Sequence, residues 1–387
     1  MSNLVVLPRI ARGRGGRQRG CPDRCPALTQ RSRRGTSPIS AMRILAAWVL
    51  MHLPVPAPAW PQANGRVQLR LDTSEAVAVL AIVAIRQAGL PVPDSAWRRL
   101  FASEPYRRLA QREAAMERTF TEQAFREFVL SDDLAARATS LRRTLDAWSS
   151  RDLDASAHRV LAYLPPDARI RAVVYPVLKP QSNSFVYDVR GDPAIFLSLD
   201  PGKSSADFEN TVAHELHHIG FASVSPPPDS SASRSSGRIR SALEWMGAFG
   251  EGFAMLAAAG GPDTHPHAQS PAEARERWDR DMAAFNQDLG KLEAFFLDIL
   301  AGRLATPEEV RRRGFSFFGV QGPWYTVGYR MAVIIERRYG RAALIASMTD
   351  SPRLLARYNA AAGELNAAGT PPLALWSSRL LREISAR

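Results

Sequence analysis

Apolar residues recur with helical spacing along most of the chain after about residue 70. Asp72 and Glu75 form a pair typical of a capping box, and they precede an apolar run at residues 76–85. Because this run is apolar on every side, it predicts a buried helix. Helical spacing continues over residues 95–163, 205–221, 240–258 and 322–386. Two further helix starts, each with a cap residue, a proline and a glutamate, are predicted at residues 270–273 and 306–309.

Three short segments are rich in β-branched and aromatic residues and are separated by proline, asparagine and glycine. These segments are residues 169–177, 184–189 and 194–199. They predict a small sheet, whose last strand we expect to be an edge strand that leads into the helix at 205–221. A small sheet among many helices predicts an α+β fold that is predominantly helical. Residues 225–238, which are rich in proline and serine, and residues 260–270 are predicted to be loops.

Residues 42–59 have the composition of a secretory signal peptide. Arg43 provides the positive start, residues 44–53 are an apolar core too short to span a bilayer, and residues 57–59 form a small-x-small cleavage site. We therefore predict an exported protein, periplasmic or secreted. Met42 is then the expected initiator, and residues 1–41 are then the result of a gene start assigned too far upstream.

Two alternatives remain for residues 1–41. They are a disordered basic tail, or they contain a twin-arginine signal at Arg33-Arg34. Thr36 and Ser37 stand where such a signal needs apolar residues, which argues against the second alternative.

The formal net charge of +12 suggests an anionic partner such as nucleic acid. However, residues 1–41 hold nine arginines and one acid, so they carry +8 and leave only +4 for the rest of the chain. Both cysteines, Cys21 and Cys25, also lie there, and their spacing without a second pair argues against a metal knuckle. No apolar run approaches the length of about 18 residues that a membrane helix needs. We therefore expect neither a nucleic-acid partner nor stable membrane insertion.

Residues 214–218 read H-E-L-H-H, which matches H-E-x-x-H. His214 and His218 are four apart, so on a helix they lie one turn from each other and can bind one cation, with Glu215 as the candidate general base. The opposite face of this helix is an apolar stripe of Phe208, Val212, Leu216 and Ile219. The helix can therefore pack on a core and turn both imidazoles toward a cleft. His217 is an alternative ligand to His218, or a residue that orients a ligand.

A catalytic zinc needs a third protein ligand and an open position for water. The helix predicted at 240–258 offers Glu251, on a face of small residues that allows a close approach to the metal helix. Glu244, two turns earlier on the same face, is the alternative ligand, or a carboxylate that orients a histidine. His265 and His267 are further candidates for metal or oxyanion contacts, although their Pro/Gly loop favours a surface position.

H-E-L-H-H after a strand, followed by G-E-G-F-A at 250–254, resembles the gluzincin type of metallopeptidase, in which a downstream glutamate completes the zinc site. The chain is most similar to uncharacterised bacterial zinc-dependent peptidases, in which a segment like W-Y-T-V-G-Y-R-M at 324–331 recurs. The resemblance covers residues 160–360. It implies that His214, His218 and Glu251 hold Zn²⁺ and that Glu215 is catalytic. The 32 residues between His218 and Glu251 exceed the usual spacing, and the loop at 225–238 accounts for the excess.

These residues predict hydrolysis of a peptide or protein substrate at zinc, in a zincin-like domain at 161–387 that follows a helical part at 60–160. Tyr325 and Tyr329, four apart near a helix start, are candidate donors to the oxyanion, with packing as the alternative role. Two other functions stay open. One is a non-catalytic zinc-binding envelope protein, and the other is a basic nucleic-acid-binding protein, which depends on residues 1–41.

Overall fold

Helices dominate the computed structural model, and a small sheet lies among them. The structure describes residues 65–181, 183–225, 237–369 and 372–385. The predictions for residues 1–41, for the signal peptide at 42–59 and for most of the loop at 225–238 lie outside these residues. Within the described part, no helix is long and apolar enough to cross a membrane. The predicted α+β class with predominant helix is confirmed.

The described chain begins with a strand, continues through helices to the rest of the sheet, and ends in helices. The strands are β1 (Val67–Leu71), β2 (Ile170–Val177), β3 (Phe185–Tyr187) and β4 (Ala194–Ser198). Between β1 and β2 lie α1 (Ser74–Gln87), α2 (Asp94–Ala102), α3 (Glu104–Ala115), α4 (Glu122–Val129), α5 (Asp132–Ser149) and α6 (Leu153–Leu161). After β4 come α7 (Ser205–Val224), α8 (Gly237–Met246), a 3₁₀ turn (Gly247–Phe249), α9 (Gly250–Ala259), α10 (Ala272–Ala283), α11 (Phe285–Ala301), α12 (Pro307–Ser316), α13 (Pro323–Tyr339), α14 (Arg341–Met348), α15 (Ser351–Ala367) and α16 (Ser378–Ser385).

The sheet has the strand order β1-β2-β4-β3. The first three strands in this order are parallel, with Leu69 opposite Ala172 and Tyr175 opposite Phe196. β2 and β4 are buried almost throughout, which explains why both appear as nearly continuous apolar runs. β1 is absent from the predicted strands because its five half-buried residues, VQLRL, give only a weak pattern.

The prediction that the strand before α7 is an edge strand is wrong. β4 lies between β2 and β3, and β3 pairs with it in antiparallel register, with Val186 opposite Ile195. The chain reverses after β3 in a tight turn. Asp188 there has a φ of 53° and accepts hydrogen bonds from the backbone N–H groups of Gly191 and Asp192. Within the described residues, a peptide that pairs with this side of the sheet therefore meets β3 and not β4.

The helix that carries H-E-L-H-H starts where the sequence predicts. Ser204 and Asp207 form a complete capping box at the start of α7, with each side chain bonded to the backbone of the other residue. The predicted apolar stripe of α7 is fully buried. α7 packs on β2, α6 and α9, so the sheet and two helices hold it in place.

Two of the other predicted helix starts have a different structure. α1 begins at Ser74 without a capping box, because Glu75 is fully buried and accepts a hydrogen bond from the backbone N–H of Leu178. α10 begins after Pro271 without a side-chain cap, because the Ser270 hydroxyl donates instead to Asp207 on α7. The capping box predicted at the start of α12 is present.

Buried apolar side chains form two clusters. The first contains the sheet and α1 to α7, and the predicted boundary near residue 160 falls inside it. The second contains most of the apolar side chains of α8 to α16. Because α7 packs against α9, the histidines of α7 lie where the two clusters meet.

Candidate metal centre

The motif side chains on α7 lie in an environment with little water. His214 is 6% exposed and Glu215 is 0% exposed, and the ligand atoms of His214, Glu215 and His218 lie within 4.8 Å of one another. One helix suffices to bring them together, because residues four apart share a face. Glu251 reaches the same point from α9.

Three possible ligand atoms converge at this point. Nε2 of His214 is 3.1 Å from Nε2 of His218 and 3.1 Å from Oε2 of Glu251, and the third side of the triangle, from His218 to Glu251, is 3.4 Å. Burial alone would raise the pKa of Glu251, but His218 and His214 outweigh it and lower that pKa to about 2. The cluster therefore presents a carboxylate and two imidazoles to a shared position that favours a cation.

The triangle has the dimensions of a zinc site. Ligand atoms at about 2.0–2.1 Å from a tetrahedral Zn²⁺ are about 3.3 Å apart, and the three observed separations bracket this value. Two imidazoles and one carboxylate are also a donor set found in catalytic zinc enzymes, where a fourth position stays open. The residues present thus fit a zinc ion.

Of the two glutamates predicted on the α8–α9 segment, Glu251 reaches the cluster. A 3₁₀ turn, Gly247–Phe249, interrupts the single helix that the sequence predicts. A 3₁₀ turn rotates each residue by about 20° more than an α-helix, so three residues shift the following face by about 60°. Glu251 enters the cluster, whereas Glu244 lies half-buried at an adjacent cavity.

Of the two tyrosines predicted as donors, the structure brings Tyr325 to the cluster. Its ring stacks on the imidazole of His214, with ring centroids 6.1 Å apart and an angle of 18° between the planes. Burial raises the pKa of Tyr325 well above its usual value, and the charge and hydrogen bond of Glu251 add to the effect, so the hydroxyl stays protonated. Tyr329 points elsewhere: its hydroxyl donates to the carbonyl of Thr264 at 3.4 Å.

Residues 97–367 match a family described as "Putative zinc dependent peptidase (DUF5700)". The chain belongs to this family. Its description names zinc as the cofactor, which agrees with the His/Glu/His cluster on α7. No curated protein and no solved structure matches the chain.

The other histidines of this DUF5700 chain named as candidates lie outside the cluster. His217 is buried against Phe221, with ring centroids 6.4 Å apart and nearly parallel planes, and burial lowers its pKa well below the usual value. Nε2 of His265 lies 3.1 Å from Oδ1 of Asp279 on α10. His267 is 7% exposed, so it is not the surface side chain that its loop predicts.

Two cavities flank the cluster of this DUF5700 chain. The first, which we call the His214 cavity, has a volume of about 310 Å³ and is lined by His214, Tyr325, His267, Lys203, Arg277 and Gln321 among others. The second, with a volume of about 200 Å³, lies on the side of His218 and Glu251 and is also lined by Glu244. The cluster is therefore buried yet borders space on two sides.

A hydrogen-bonded chain of side chains supports the His214 cavity. The Ser270 hydroxyl donates to Oδ1 of Asp207 at 2.8 Å, and Nδ1 of His267 lies 3.3 Å from that hydroxyl. Because the Ser270 proton points to Asp207, the Ser270 oxygen accepts from His267, which assigns the ring proton to Nδ1. Burial, together with His265 and Arg277, lowers the pKa of His267 to about 4, so at neutral pH its Nε2 is an acceptor. The sequence marks Ser270 as a helix cap and His267 as a candidate for metal or oxyanion contacts, but no pattern in it predicts that they bond to each other.

Proposed function

We propose that this chain hydrolyses peptide bonds, with zinc held by His214, His218 and Glu251. The observation that supports this most is the triangle of three possible ligand atoms with sides of 3.1–3.4 Å in a buried site that borders a cavity. A mixed sheet followed directly by the helix with H-E-L-H-H supports a zincin-like core, to which β1 (Val67–Leu71) adds a strand from outside the predicted range of 161–387.

The roles of the side chains follow from their positions. Bound zinc supplies a Lewis acid for the scissile carbonyl and lowers the pKa of a water molecule. Glu215, next to both histidines, accepts a proton from the attacking water and passes it to the leaving nitrogen. The Tyr325 hydroxyl, which stays protonated, donates to the oxyanion that forms on the carbonyl oxygen.

Zinc content and peptide cleavage of matched variants test this function. We expect the purified chain to bind one zinc and to cleave members of a peptide library, with cleavage lost after chelation. Glu215→Gln should keep the zinc and reduce kcat by at least about 100-fold, the usual contribution of a general base. Glu251→Gln should weaken zinc binding strongly, whereas Glu244→Gln, the control in the same segment, should leave it unchanged.

Each possible failure has a separate meaning. A chain without zinc contradicts the metal site. Zinc bound without cleavage of any peptide favours the non-catalytic zinc-binding alternative. Full activity in Glu215→Gln contradicts the role of Glu215, and loss of zinc in Glu244→Gln but not in Glu251→Gln reverses the ligand assignment.

A further inference from the structure

Two basic side chains line the His214 cavity next to the metal cluster. Lys203 lies in the turn between β4 and α7, and Arg277 lies on α10. Both are partly buried, and neither forms an ion pair with any residue that the structure describes. Asp281 lies one turn from Arg277 on α10, and the charge of Arg277 acts to lower its pKa. Asp281 is not bonded to Arg277, however, and it does not line this cavity.

The acid in the cavity lining is already engaged. Oδ2 of Asp207 accepts hydrogen bonds from the backbone N–H and the hydroxyl of Ser204, at 3.2 and 2.8 Å, and Oδ1 accepts from the Ser270 hydroxyl. Both oxygens of Asp207 are therefore bonded to residues at the starts of α7 and α10. Among the described lining residues, Asp207 is the one carboxylate, and it forms no ion pair with either cation.

The surroundings of the two cations add to the positive potential. α7 and α10 both begin at this cavity, and the N-terminus of a helix carries a positive partial charge. His267 is neutral at pH 7, so the positive charge of the lining comes from Lys203 and Arg277. Gln321, with the left-handed φ of 65° that is unusual for a residue other than glycine, holds a side-chain amide at the same wall.

We propose that the His214 cavity binds a carboxylate of the peptide substrate through Arg277 and Lys203. This inference rests on the proposed peptidase function and specifies its substrate class. Arginine is the side chain best suited to a planar carboxylate, because its guanidinium donates two parallel hydrogen bonds. A volume of about 310 Å³ is at the lower end of ligand sites, which are roughly 300–1,000 Å³. The cavity therefore suits a short stretch of peptide beside the cleaved bond.

The carboxylate has two possible sources in a peptide. One is the free C-terminus, which would make the chain a carboxypeptidase. The other is the side chain of an aspartate or glutamate, which would make it an endopeptidase with an acidic preference. Arg277 and Lys203 would bind either carboxylate in the same way. Only a comparison of peptide substrates can therefore distinguish the carboxypeptidase from the endopeptidase.

Binding to an inactive, zinc-loaded chain tests the proposal directly. Acetylated alanine-rich hexapeptides would be titrated calorimetrically into the Glu215→Gln chain, with a free or amidated C-terminus and with glutamate or glutamine at each position. We expect one type of carboxylate to improve the Kd by about 10- to 100-fold, the usual value of hydrogen bonds to a charged group. Preference for the free C-terminus indicates the carboxypeptidase, and preference for an internal glutamate indicates the endopeptidase.

Variants of α10 connect this preference to the cavity. Arg277→Gln in the same background should remove most of the preference and leave the Kd of the amidated glutamine peptides within about twofold. Arg275→Gln, an exposed arginine on the same helix, is the matched control and should keep the preference. Lys203→Met should reduce the preference to a smaller degree, because lysine provides a point charge.

Several outcomes overturn the proposal. They are equal affinity for all peptides, no detectable binding of any peptide, and a preference that survives Arg277→Gln. None of these removes zinc or cleavage by the wild-type chain, so a failure of the carboxylate site is distinct from a failure of the peptidase function. Conversely, a chain that binds acidic peptides but no zinc keeps the carboxylate site and loses the proposed function.

Discussion

Tyr325 and Tyr329 show how a single helical turn separates a candidate catalytic side chain from a packing one. Residues four apart share a face of a helix, but they are about 6 Å apart along its axis. Tyr325 therefore reaches His214, while the ring of Tyr329 packs edge-on against Trp278, with ring centroids 5.3 Å apart. The sequence predicts the shared face but not which tyrosine meets the cluster.

We predict that Tyr325→Phe lowers kcat about 100-fold without loss of zinc. Removal of one donor to an oxyanion typically has an effect of this size. Steady-state kinetics with metal analysis would measure both quantities. Tyr329→Phe is the control and should keep kcat within about twofold. Equal losses in the two variants would mean that both tyrosines act through packing.

Local signals account for part of the candidate site. His214, Glu215 and His218 are adjacent in sequence and share a helix, so their spacing alone predicts that they meet. Glu251 reaches the cluster through the packing of α9 against α7, which the sequence does not show, so Glu244 stays an alternative there. Lys203, Arg277 and His267 come from three different segments, and no spacing rule connects them.

At the scale of elements, α9 and α13 cross with their backbones in contact. A Cβ atom on Gly252 would lie 2.6 Å from the carbonyl oxygen of Tyr325 and closer still to the backbone nitrogen of Tyr329. A Cβ atom on Gly328 would lie 2.5 Å from the carbonyl oxygen of Phe249. The small residues of α9 predict a close approach to α7, but at Gly252 the close neighbour is α13.

We predict that Gly252→Ala destabilises the protein by about 3 kcal/mol or more, because the added methyl group meets backbone that cannot move aside. Gly250→Ala is the matched control, since a Cβ atom there meets nothing within 4 Å. Alanine at that position should stabilise α9 by up to about 1 kcal/mol. Urea unfolding of both variants measures the difference. Similar stabilities would contradict the close crossing.

The elements that the sequence predicts are those with local signals. α7 has a capping box and an apolar stripe, and both are present. β1 pairs with β2 about a hundred residues later, with Leu69 opposite Ala172, and no local pattern reports such a partner. β4 lies inside the sheet because β3 pairs with its free side. The three residues of β3 do not indicate in the sequence which strand they pair with.

At the scale of the whole molecule, the first apolar cluster encloses an ionisable group. Glu75 on α1 is fully buried, and burial raises its pKa from 4.5 to about 8, although the N–H of Leu178 and the charge of Lys179 act in the opposite direction. At neutral pH Glu75 is therefore protonated in the folded chain and ionised in the unfolded chain. Its contribution to stability is complete below about pH 4.5 and is lost as the pH rises to about 8.

We predict that Glu75→Gln becomes increasingly stabilising relative to the wild type between pH 5 and 8. The difference in unfolding free energy should grow by at most about 1.4 kcal/mol per pH unit, the value for a single titrating group. Glutamine keeps an acceptor for the N–H of Leu178. Urea unfolding of both proteins at several pH values gives the difference in unfolding free energy. The contributions of the other titrating groups are the same in both proteins and cancel in this difference. A difference independent of pH would contradict a protonated Glu75.

We also predict that the protein is exported and that its mature form begins near residue 60, without the basic segment. Cleavage after residues 57–59 would leave residues 60–387 with a net charge of only +3 and no cysteine. N-terminal sequencing of protein from the periplasm or the medium would give the first residue. A mature chain that keeps residues 1–41 would contradict the signal peptide and revive the nucleic-acid-binding alternative.

The close contact of α9 and α13 at Gly252 and Gly328 also limits which residues of this protein can change, in evolution or by design. Glu251 precedes Gly252 on α9, and the backbone of Tyr325 on α13 lies against Gly252, so neither side chain can be repositioned without the other. Lys203, His267 and Gln321 instead approach the His214 cavity from three separate connecting segments. Variation in selectivity should therefore accumulate in those connecting segments, while the spacing between Glu251 and Tyr325 stays fixed.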